Sequence, residues 1–125
     1  MKETSEQIQD KLMREHINFR ALTESAYNTT NLIQQHKYDL LQIETATRSD
    51  VAKEKDLATG KPVFSNEALR EGELQIRLKT DENYQRLLGL IGDTEDNLRE
   101  INGQIAIHHN FMDVMKMCVE LRREV

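Results

Sequence analysis

Apolar residues recur along this chain at alternating steps of four and three. From Ile8 the steps give Ile8, Leu12, Glu15, Phe19, Leu22, Ala26, Thr29, Ile33, His36, Leu40, Ile43 and Thr47. From Tyr84 they give Tyr84, Leu87, Ile91, Thr94, Leu98, Ile101, Ile105, His108, Met112, Met115, Val119 and Arg122. A repeat of this spacing puts every member on one narrow helical face, the seam of a coiled coil. The pattern predicts an all-α chain: an antiparallel long-helix coiled-coil hairpin with a short elbow helix.

Local signals set the boundaries. Ser5 can cap the first helix and Glu6 suits the positive end of its dipole. No Gly or Pro then interrupts the chain before Gly60. The run Tyr27-Asn28-Thr29-Thr30-Asn31 has poor helix propensity. The seam keeps phase across it, so the helix is expected to continue, over 5–57. Thr59-Gly60-Lys61-Pro62 is a stop signal. Ser65 or Asn66 then caps a short helix over 66–79, with Phe64 as a hydrophobic staple. Its apolar residues are Ala68, Leu69, Leu74, Ile76 and Leu78. Thr80 or Asp81 caps a third helix over 81–123. The elbow is therefore 58–80, inside a single domain over 1–125. Pairing Glu15 with Arg122 gives a register that also sets Thr29 opposite His108.

The composition fits this picture. Of the 125 residues, 38% are hydrophobic and only 5% aromatic, with no Trp. That is lean for a globule but enough for a seam needing about two apolar residues in seven. A two-helix strip has little interior, so assembly into a helical bundle is expected. The formal charge of −5 gives no average attraction to DNA or an anionic membrane. One cysteine, Cys118, excludes a disulfide within the chain. No run reaches the ~18 apolar residues of a membrane span. The first six residues carry no apolar signal segment. Together these predict a soluble cytoplasmic protein.

Catalytic chemistry finds no constellation. His108 and His109 are adjacent and so point about 100° apart on a helix, unable to chelate one ion from one face. Neither Glu-x-x-His nor His-Glu-x-x-His occurs. His36 and His108 lie on the seams and read as polar layers that specify register. Cys118 lacks a general base nearby in sequence. Thr59-Gly60-Lys61 lacks the spacing of a phosphate loop. No enzyme activity, metal or cofactor is expected.

One segment carries a resemblance. Gly60-Lys61-Pro62-Val63-Phe64-Ser65-Asn66-Glu67-Ala68-Leu69-Arg70 is followed by Arg77-Leu78-Lys79-Thr80-Asp81-Glu82-Asn83-Tyr84-Gln85-Arg86-Leu87. It resembles a pattern in small helical proteins encoded by phages, prophages and integrative elements. The shared features are a Gly-Lys-Pro lead, an aromatic-Ser-Asn-Glu cap, an Arg four residues after the Asn, and an Arg-Leu before an acidic turn and a Tyr. The resemblance implies a mobile-element origin, a host-cytoplasm location and a role beside recombination or replication genes.

The leading expectation is a non-enzymatic accessory protein that works by helix-mediated protein–protein interaction and self-association. Its partners are a second copy and a host or phage protein. One alternative is a nucleic-acid accessory protein in recombination or replication; Phe64, Asn66, Arg70, Arg77 and Lys79 are its candidate contacts. Another is an acidic inhibitor of a host DNA-binding or defence protein. Apolar residues left off the seams point to self-association: Leu32, Leu41, Leu88, Leu90, Ile107, Val114 and Leu121. Ile107, Val114 and Leu121 recur every seven residues, a second stripe on the last helix. With Met112 and Met115 they form the expected interface.

Overall fold

A computed structural model describes residues 4–124, with side-chain burial described through Arg123. Among these residues the elements are α1 (Ser5–Lys53), α2 (Glu67–Thr80) and α3 (Glu82–Glu124), without a strand. The chain is all-α, as the periodicity predicts.

Each seam position expected on α1, from Ile8 to Thr47, is buried or half-buried. The same holds on α3 from Tyr84 to Val119; Arg122 is exposed. The Thr-rich run stays helical. Thr23, Thr30 and Thr47 donate their hydroxyls to the carbonyls of Phe19, Ala26 and Ile43, each at 2.8 Å. That back-bonding satisfies the hydroxyl without breaking the helical ladder.

The caps are specific. α1 begins at Ser5, within the expected start, and its cap is Thr4 rather than Ser5. Thr4 Oγ1 accepts from the Gln7 amide at 3.1 Å, and Gln7 Oε1 accepts from the Thr4 amide at 2.9 Å. This reciprocal pair satisfies donors that helix geometry leaves open. Asn66 caps α2, accepting from the Leu69 amide at 2.8 Å. Replacing Asn66 with Ala is expected to cost about 1 kcal/mol, read as a lower urea midpoint with an unchanged slope. Asp81 serves two helices: its amide donates to the Leu78 carbonyl, and its carboxylate accepts from the Tyr84 amide at 2.9 Å.

α1 stops at Lys53, before the expected 57. Beyond it the backbone turns back on itself. Lys55 and Pro62 form an antiparallel bridge, the Val63 amide donates to the Glu54 carbonyl at 3.0 Å, and the Asp56 amide to the Lys61 carbonyl at 2.8 Å. The Asp56 carboxylate accepts from the Ala58 amide at 2.8 Å, and Gly60 takes φ +66°. An aspartate that bonds its own turn competes with helix, and glycine supplies the left-handed conformation.

The packing divides into two compact units. One joins the chain up to Asn31 with the chain from Glu95 onward; the other is Leu32–Thr94. In the first, α1 and α3 meet in opposite order. Ile8 and Leu12 share a groove with Val119, Glu15 meets His108, and Leu22 lies beside Gln104. The expected register, with Glu15 opposite Arg122 and Thr29 opposite His108, is therefore displaced by two heptads, and Arg122 lines the groove with Ser5 and Ile8. A heptad stripe looks alike after every repeat. One exposed ion pair, worth under ~1 kcal/mol, cannot choose among the layers.

The second unit holds the most deeply buried side chains, Val51 and Leu74 at 1% and Leu78 at 2% exposure. Ile33, Leu87 and Ile91 are buried in the same unit. Only Leu74 and Leu78 of α2's apolar residues are buried; Leu69 and Ile76 are exposed. Leu74 and Leu78 are one turn apart on a face shared with half-buried Arg70 and Arg77.

Candidate interaction surface

Three of the five elbow residues expected to meet a partner, Phe64, Arg70 and Arg77, are engaged with one another. Asn66 is the α2 cap. Phe64 is half-buried, and its carbonyl accepts from Arg70 Nη1 at 3.4 Å. The Arg77 guanidinium lies 5.8 Å from the Phe64 ring centroid, close enough for cation–π attraction. Arg77 also donates to Glu54, and to Glu73 at 2.9 Å. Hydrogen bonds to Glu54, then Glu73, raise its pKa above the ordinary guanidinium value. Of the five residues, Asn66 and Lys79 are exposed. The arrangement is a clamp that ties the end of α1, the turn and α2 together.

A second ion pair reinforces it. Arg48 Nη1 donates to Glu71 Oε2 at 2.8 Å. Hydrogen bonds from Arg48 and then from Gln75 hold the Glu71 carboxyl below its ordinary pKa. A lowered folded-state pKa stabilises the fold above the unfolded value; that contribution disappears as pH falls through the folded one. Both groups are solvent-accessible, so the effect is small and salt-sensitive. Glu71→Gln is expected to narrow slightly the difference between urea midpoints at neutral and strongly acidic pH. An unchanged difference in low salt would remove Glu71 from the acid response.

The off-seam stripe on α3 lies in the open. Ile107, Val114 and Leu121 are 69%, 57% and 60% exposed. Met112 and Met115 are half-buried on the seam instead. The expected interface therefore splits: three of its residues face outward and two line the inner face. Sequence reasoning missed Phe111, and it took Cys118 as a small buried or interface apolar residue without joining it to the stripe; both are exposed. They were legible, because Ile107, Phe111, Val114, Cys118 and Leu121 step by four and three, a second heptad line beside the first. Its centre lies about 110° around the helix from the seam at 3.6 residues per turn.

No protein-family model, no curated protein and no solved structure matches this chain. Its functional reading rests on its own residues.

Beside the stripe, Phe111 shares a shallow groove with Lys11, Arg14 and Glu15 of α1. Glu15 Oε2 lies 2.6 Å from His108 Nδ1, without the alignment of a ring N–H hydrogen bond. Phe19 and His109 meet on the other side, with ring centroids 6.3 Å apart. Among the described residues, no cluster of three or more His, Cys, Asp or Glu side chains is placed to hold a metal. No helix among them is long and apolar enough to cross a membrane.

Proposed function

We infer that this chain is a non-enzymatic helical interaction module of phage or mobile-element origin, acting by self-association and by docking a protein partner. One observation carries the interaction reading: a heptad line of large apolar residues, Ile107 to Leu121, is left exposed on a helix whose first seam is already covered. A stripe of this kind on one helix is completed by another helix. The resemblance of the Gly60–Leu87 region supports the origin.

The nucleic-acid alternative draws less support. Arg70 and Arg77, two of its three cations, are engaged with the Phe64 carbonyl and with Glu54 and Glu73. Multi-angle light scattering at micromolar concentration tests the leading reading: a mass above one chain is expected, and a strict monomer would overturn self-association. Gel shifts with single- and double-stranded DNA over a salt series are expected to show no tight band. Tight binding with a steep salt slope would favour the alternative.

A further inference from the structure

The stripe has two unlike borders, and these orient whatever covers it. It runs for about 21 Å along α3 at 1.5 Å per residue. Between Glu100 and Arg122, helical spacing places no charged α3 residue on its face; Asp113, Lys116 and Glu120 fall on the remaining side of the helix. One border carries Lys11 and Arg14 of α1 beside Phe111, with Glu15 turned to His108 in the same groove, so it is basic on balance. On the other side the stripe is flanked by Asn110 and Met117, and beyond them by Asp113 and Glu120, all exposed. Asp113 lies 3.3 Å from His109 on that side.

Resting on the self-association reading, we propose that the stripe is covered by the same stripe of a second copy, with the two α3 helices parallel and in register. Charge decides the orientation. Two parallel copies related by an axis along the helices set each basic border toward the other's acidic border: Lys11 and Arg14 toward Asp113 and Glu120. Antiparallel copies bring like borders together, setting Lys11 and Arg14 against their own counterparts. Like charges at the edge of an apolar interface select against a pairing. The uncharged face accepts an identical helix without burying a charge. Parallel, in-register pairing also puts identical residues in the same layer, so Cys118 meets Cys118 and Val114 meets Val114.

Cysteine coupling reads that layer directly, because a disulfide forms only when the two Cα atoms come within about 7 Å. The full chain, at micromolar concentration, is treated with diamide, which takes two electrons and two protons from a thiol pair. Three single-cysteine forms are compared: the native chain, Cys118→Ser with Val114→Cys, and Cys118→Ser with Lys116→Cys on the charged side. The first two are expected to become covalent dimers on a non-reducing gel, and the third to remain single chains. Light scattering on the same samples separates the two readings. An assembled protein in which Cys118 and the residue-114 cysteine do not both couple overturns the parallel arrangement while self-association stands. A strict monomer overturns both and leaves the stripe to a helix of a different protein. Coupling of all three forms alike marks random collision and also overturns the proposal.

Discussion

Changing Leu74 to alanine is expected to lower the unfolding free energy by about 2–5 kcal/mol, the range for emptying a buried leucine site. Leu74 is 1% exposed, the most enclosed large side chain of the unit that holds α2. Its neighbour one turn on, Leu78, is 2% exposed, and Val51 of α1 is equally enclosed. These three bring α2 and the end of α1 into one core. A loss of this size is a large share of the stability of a small domain. Urea unfolding followed by circular dichroism measures it. Leu69→Ala, at a 51% exposed position on the same helix, is the matched control and should stay within about 0.5 kcal/mol. Similar losses from both changes would mean that α2 is not held by Leu74.

Replacing both Val114 and Leu121 with glutamate is expected to convert the assembled protein to single chains with unchanged helix content. Both positions are more than half exposed within one chain, so the substitutions remove nothing from its core. In an interface they would desolvate four carboxylates per pair of chains, several kcal/mol against association. Burying a Val or Leu completely contributes about 1.5–3 kcal/mol, so the lost attraction adds to that penalty. Light scattering on the variant and the native chain at equal concentration makes the measurement. An unchanged mass would place the interface elsewhere.

What could be read from the residues was a matter of face, not of layer. Alternating steps of four and three located the buried side of α1 from Ile8 to Thr47, polar members such as Glu15, Thr29 and His36 included. That succeeds because burial on a helix follows angle, and angle follows spacing. The spacing is blind to translation, so Glu15 was assigned to Arg122 when it meets His108. In α2 the five apolar residues gave no clean stripe. The buried pair, Leu74 and Leu78, is flanked by Arg70 and Arg77, which ionic and backbone partners hold at the border of the core. Arg77 illustrates what spacing hides. Its character depends on Glu54 and Phe64, which only the folded turn brings beside it. Phe111 and Cys118 belong to the stripe for a simpler reason: a spacing of seven alone, as in Ile107, Val114 and Leu121, skips every second member of a heptad line.

The closed turn after α1 makes this chain unusually easy to label. Its backbone is joined at the base, where Lys55 pairs with Pro62 and Val63 with Glu54, while the tip carries side chains in open water, Leu57 the most exposed among them. Extra residues inserted between Ala58 and Thr59 would lengthen a loop whose ends are already fixed, and each doubling of loop length costs only about 0.6 kcal/mol. A short peptide epitope or fluorophore site placed there would label the protein without replacing any residue of the stripe. The turn thus offers a port for tagging the intact chain in assembly measurements.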